Sequence, residues 1–156
     1  RTAFADASGI SSKNISTAED IFKLLRYIND HKKPLFDLSG LREYTLSSTN
    51  GIKKHTWINI NWLADDERFI GGKSGKTCEA LETMAGVYKL KLSESEERQI
   101  FIAALHSQDR VRDVNLIIDH IKDNFVYGTA INRGKSTAAT VENGASLYEA
   151  LLSPSR

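Results

Sequence analysis

The residues whose types and spacing best suit chemistry stand together at Gly71-Gly72-Lys73-Ser74-Gly75-Lys76-Thr77. Glycines let a backbone approach a ligand closely, while lysines and hydroxyls supply donors for an anion. One use of such a run is the phosphate loop, which ends in Gly-Lys-Thr and follows a strand, as Gly75-Lys76-Thr77 follows Arg68-Phe69-Ile70. That loop needs four residues between its two glycines so that successive amides wrap the phosphates. Five residues before Gly75 stands Ile70, and Gly71 comes one place too late. A magnesium-holding aspartate could be sought at Asp119, but Leu116-Ile117-Ile118 before it keeps helical rather than strand periodicity. Nucleotide binding through an irregular phosphate loop is therefore a secondary expectation, and a rise in melting temperature with ATP or GTP is its check.

Other reactive side chains are scattered. His31, His55, His106 and His120 stand far apart and form no metal-ligand spacing, so they read as surface or packing residues, and no metal is expected. Cys78 is the single cysteine, which excludes an intrachain disulfide and a multi-cysteine zinc site, and it reads as a small packed side chain. Trp57 and Trp62 flank Asn59 and Asn61, an arrangement open to carbohydrate stacking but expected to serve core packing. Lysine and arginine number 21 against 20 acids, giving a formal charge of +1 with the basic residues dispersed, so no nucleic-acid partner is expected. No apolar run reaches membrane-spanning length. The chain opens at Arg1, which suggests that upstream sequence has been removed.

The elements that must position the glycine-rich run can be read from pattern. Ser16-Thr17-Ala18-Glu19 reads as a helix start capped by Ser16 with Glu19 three residues on, and Ile21, Leu24, Leu25 and Ile28 recur at helical spacing, predicting a helix from Thr17 to about His31. Aromatic and β-branched residues at Arg42–Ser47 and Lys54–Asn59, separated by Ser48-Thr49-Asn50-Gly51, predict a hairpin. Arg68-Phe69-Ile70 looks like a strand entering a glycine-rich loop. Met84–Leu92 and Gln99–Leu105 predict adjacent antiparallel strands. Val111, Val114, Ile117, Ile118, Ile121 and Phe125 predict a helix from Asp109 to Asn124, and the Thr, Ala, Asn, Gly and Ser composition beyond Gly128 predicts a linker or tail over residues 129–156. At 156 residues the chain has the size of one domain, here residues 1–128 followed by that tail.

In this order of elements, Lys73-Ser74-Gly75 is equivalent to the Lys-Thr-Gly element of penicillin-binding proteins and β-lactamases. Residues 3–128 resemble the C-terminal part of the catalytic domain in serine-type D-alanyl-D-alanine carboxypeptidases. Phe4-Ala5-Asp6-Ala7-Ser8-Gly9-Ile10, with Asn14 and Ser16-Thr17-Ala18-Glu19-Asp20, looks like that family's Phe-x-Asp-Pro-Ser-Gly-Leu loop and following helix, with Ala7 in place of proline. Glu43-Tyr44-Thr45 and Asn59-Ile60-Asn61-Trp62-Leu63 are similar to its approach to the third motif. Gly71 to Thr77 resembles Gly-x-Lys-Thr-Gly-x-Thr, and Ala85-Gly86, Arg98-Gln99 and a closing helix complete the order. Two departures stand out. Cys78 to Met84 intervene where the family passes almost directly to Ala-Gly, and no lysine has a serine three residues before it, so the Ser-x-x-Lys nucleophile motif is absent. Ser12-Lys13-Asn14 and Ser48-Thr49-Asn50 fit Ser-x-Asn literally but occupy positions that the family gives to other loops.

The resemblance implies an α+β fold, a partial β-lactamase/transpeptidase-like unit in which an antiparallel sheet, built from strands near Lys73, Val87 and Phe101, is backed by the helix from Asp109 to Asn124, the Thr17 helix belonging to a helical lobe. It implies trimming of the terminal D-alanine from peptidoglycan peptides through an acyl-enzyme, in the periplasm or on the extracellular face of the membrane, with β-lactam antibiotics as acylating inhibitors and no cofactor. Lys73, Ser74, Gly75 and Thr77 would bind substrate, and the catalytic serine would lie in an N-terminal half missing from this chain. An exposed sheet edge would then invite a partner strand or self-association into a homo-oligomer. The competing expectation from another class is a catalytically inactive module that binds cell-wall peptides or another protein.

Overall fold

A computed structural model describes residues 1–49, 51, 54–91 and 96–125. The fold is α+β, with helices packed on antiparallel sheet. Helix α1 spans Ala18–His31 and α2 Pro34–Ser39; strands β1, Glu43–Ser47, and β2, Lys54–Ile58, form a hairpin. A short 3-10 turn at Trp62–Asp65 leads into β3, Phe69–Thr77, followed by β4, Leu81–Lys91, β5, Glu97–Ser107, and α3, Arg110–Asn124. The three longer strands pair antiparallel in the order β3-β4-β5, with Gly72 opposite Gly86 and Val87 opposite Phe101.

Strand alternation gives this sheet two apolar faces. On one, Val114, Ile118 and Ile121 of α3 pack with Leu63, Phe69, Met84, Tyr88, Leu90 and Ile102. Each such aliphatic side chain gains about 1.5–3 kcal/mol from full burial. On the other face Leu25 of α1 and Phe36 of α2 meet Val87, with Ile21, Ile28, Ile70 and Phe101 at the margin. The sheet is therefore a central layer. The apolar stripe of the first helix lies on β4 and β5, because those strands carry apolar residues on both faces.

Local chemistry moves several boundaries. The cap of α1 is Thr17, whose Oγ1 accepts from the Asp20 amide, rather than Ser16. Pro34 at the first position of α2 starts a six-residue helix that periodicity missed. Asn59 ties the hairpin to α2 by donating to the carbonyls of Ser39 and Leu41 at 2.8 and 3.0 Å. Cys78 is exposed rather than packed, and so are Trp57 and Trp62, the latter at 79%. The helix expected at Asp109–Asn124 begins at Arg110 with Asp109 as its cap, accepting from the Arg112 amide at 2.9 Å. The tail at 129–156 lies outside the described residues. Among the described residues no helix is long and apolar enough to cross a membrane.

Candidate carboxylate-binding site

The glycine-rich run is strand throughout, as the resemblance placed it near Lys73, and not the loop that its glycines alone suggest. Residues 69–77 continue as β3, paired with β4 from Phe69↔Tyr88 to Thr77↔Leu81. A phosphate cradle requires the chain to leave its strand and open a helix at that point. Here Thr77 leads into a turn at residues 78–80 and back along β4, so this segment builds no such cradle. The residues read as an insertion, Cys78 to Met84, form the turn at 78–80 and the start of β4.

Helix α2 decides which part of β3 is open. Gly71 lies so close to Phe36 that a Cβ there would collide with the Phe36 backbone, and the Gly72 amide donates to Ser39 Oγ at 3.0 Å. That amide points away from β4. Backbone groups alternate along a strand in an antiparallel pair, so Ser74 and Lys76 also turn their N–H and C=O groups outward. Beyond Gly72 no described element pairs with this edge.

Side chains alternate as well. Lys73 pairs with Ala85 and Thr77 with Leu81, sharing the face toward α1; Ser74 pairs with Met84 and Lys76 with Glu82, sharing the face toward α3. Lys73 is exposed, and its ammonium folds onto the outward carbonyl of Ser74. Ser74 is 8% exposed. Thr77 Oγ1 accepts from the Ala80 amide at 3.0 Å, closing the turn. The structure thus brings Lys73, Gly75 and Thr77 to one face and puts the Ser74 hydroxyl on the other.

Two residues absent from the sequence-based set complete the neighbourhood. Arg110 Nη1 donates to the Gly75 carbonyl at 3.2 Å and lies 3.5 Å from Glu82 Oε2. Glu82 Oε1 accepts from Lys76 Nζ at 2.9 Å, while Oε2 accepts from the Arg110 amide at 3.2 Å. The Lys76 hydrogen bond, followed by that of the Arg110 amide, holds the Glu82 carboxyl below its ordinary range. A signal for Arg110 was present: a cation in the first turn of a helix opposes the helix dipole and needs a compensating partner. The start of α3 is fixed further by Ser107, whose hydroxyl donates to Asp113 and accepts from the Asp109 amide at 3.0 Å.

Backbone strain marks the same end of the sheet. Leu81 and His106 have φ of 53° and 56°, and the β4–β5 register shifts between Glu82 and Met84. The pairs Glu82↔Ser107 and Met84↔Ala104 set Leu105 and His106 against Thr83 alone, a bulge that places Glu82 and Ser107 beside the start of α3. Comparison with family models, curated proteins and solved structures finds no match to this chain.

Proposed function

We propose that this chain is part of a serine-type D-alanyl-D-alanine carboxypeptidase domain, and that the outer edge of β3 binds the carboxyl end of a peptidoglycan peptide. The observation that carries the reading is the exposed Lys73 ammonium, held on the outward Ser74 carbonyl where the strand edge emerges from α2. An extended peptide laid on that edge gains backbone hydrogen bonds from Ser74 and Lys76, and its terminal carboxylate takes the place of the carbonyl at Lys73. Gly75 leaves room for the peptide, and the Thr77 hydroxyl offers a further donor on the Lys73 face.

By resemblance, the acyl-transfer step belongs to a serine that this sequence does not contain: its oxygen attacks the peptide carbonyl, D-alanine leaves, and water releases the acyl group. β-Lactams acylate the same serine, and the working location is the periplasm or outer membrane face. The edge of β5, which no described element pairs, takes a strand from the rest of such a domain. Calorimetric titration with N-acyl-D-alanyl-D-alanine tests the binding half of this reading. Binding that is lost in Lys73→Ala and absent for the L,L-dipeptide supports it; equal binding of both dipeptides, or none, refutes it.

A further inference from the structure

Large apolar side chains stand exposed at seventeen positions among the described residues, and nine of them fall in the short stretch from Leu35 to Trp62. The β1–β2 hairpin sorts its share by strand alternation. Tyr44 and Leu46 share one face with their partners Trp57 and His55, whereas Thr45 and Thr56 meet on the other through their hydroxyls at 2.7 Å. The hairpin is therefore amphipathic, yet every residue of both strands is exposed. Its apolar side opens onto a groove of about 360 Å³ shared with Leu38 and Leu41. A two-stranded ribbon is marginally stable alone in water, so a surface packed on this side would stabilise it.

The chain leaving the groove at Asn59 carries a matching projection. Asn61 and Leu63 are buried, and the Asn61 side chain accepts from the Leu63 amide at 3.3 Å. Arg42 Nη1 donates to the Asn59 carbonyl at 2.7 Å and Arg42 Nε meets Asp65 at 2.6 Å, so both ends of the segment are tied to the base of β1. With Asn61 and Leu63 turned inward, Ile60 and Trp62 stand out at 84% and 79% exposure. An indole on so constrained a backbone gives up little freedom on docking. We propose that a second copy of this chain covers the surface, each copy inserting Ile60 and Trp62 into the other's hairpin groove to form a two-fold dimer. A projection and a groove on one surface are what such a contact needs, because the same patch must complement itself. The exposed parts of Ile60, Trp62 and the apolar groove residues come to on the order of 900 Å², taking about 150–250 Å² for each aromatic side chain, against roughly 800 Å² per partner in a standard specific interface. Charge does not oppose the contact: Arg42 and Asp65 neutralise each other, and Glu43 is the charged residue of the groove lining. The contact is made by side chains rather than by the open edges of β3 and β5, and it does not depend on the peptidase reading.

Trp57 and Trp62 are the two tryptophans of the chain, so intrinsic fluorescence reads this surface alone. Sedimentation of the full chain over about 1–200 µM should show a monomer–dimer equilibrium in the micromolar range. Tryptophan emission should be red in dilute solution and move to the blue as dimers form. Trp62→Ala on the projection and Leu46→Asp in the groove should each weaken dimerisation roughly tenfold or more. Leu116→Asp, at an exposed position of α3 across the sheet from α2, should leave it unchanged. All three positions are exposed, and unchanged melting temperatures in dilute solution check that each variant folds. A monomer at every concentration, a dimer that survives either Trp62→Ala or Leu46→Asp, or one that Leu116→Asp weakens equally, overturns the proposal. A monomer whose emission is already blue-shifted means that another part of the chain covers the face, and overturns it as well.

Discussion

The three-stranded sheet and the β1–β2 hairpin are built from similar residue types, yet they have opposite fates. In the sheet Met84, Val87, Tyr88 and Leu90 are fully buried, because a helix covers each face. In the hairpin every residue of both strands is exposed, although Tyr44 lies opposite Trp57 and Leu46 opposite His55. A shallow cavity of about 360 Å³ runs along it, lined by Leu38, Leu41, Tyr44, Leu46, Trp57 and Ile58 among others. The difference teaches that β propensity and a turn suffice to pair two strands, while rigidity at a site comes from having both faces of a strand packed. The glycine-rich strand gains its order from β4, α2 and α3.

Substitutions can break or sharpen that contrast. The largest gap should separate Leu90→Ala from Leu46→Ala: about 2–5 kcal/mol of stability lost in the sheet, against less than about 1 kcal/mol in the hairpin, measured as denaturant midpoints. A comparable cost for both would mean that the hairpin is covered after all. Gly71→Ala comes next, at about 2–3 kcal/mol, since its methyl must displace the Phe36 backbone and with it the seat of α2. His106→Gly should change stability in the opposite direction, gaining about 1 kcal/mol by relieving the left-handed bulge residue.

A smaller effect concerns acid. The hydrogen-bonded Arg68 guanidinium holds the Asp66 carboxyl below its ordinary value of 3.8. A carboxyl depressed by folding contributes stability that is fully present above its unfolded value and fades as pH falls below it. Asp66→Asn should therefore lower the melting temperature at pH 7 and flatten its decline below about pH 4. An unchanged acid limb would show that the Asp66–Arg68 pair plays no part in it.

Much of this layout was legible in the sequence, and the parts that were not share a physical cause. Helices α1 and α3 announced themselves through apolar residues recurring every three to four positions, β4 through a loose alternation and β5 through an apolar run of strand length. Local pattern read the run Gly71–Thr77 as loop, and only the resemblance put a strand near Lys73, because glycine disfavours strands intrinsically, whereas the close approach of Phe36 demands a residue without a side chain. Trp57 and Trp62 were misplaced because burial depends on what another element brings, not on the residue's own preference. At the site, Lys73, Ser74, Gly75 and Thr77 were readable as a motif, but their division between two faces follows from strand register. Arg110 and Glu82 meet across 28 positions of chain, a distance that no local pattern spans.

The most direct test of the central claim is amide hydrogen exchange along β3 with and without N-acyl-D-alanyl-D-alanine. The account requires new protection at the outward amides of Ser74 and Lys76, with little change at the amides of Lys73 and Gly75, which already face β4. Protection confined to β5 or to the hairpin, or no ligand-dependent protection at all, would contradict the assignment of the β3 edge as the binding site.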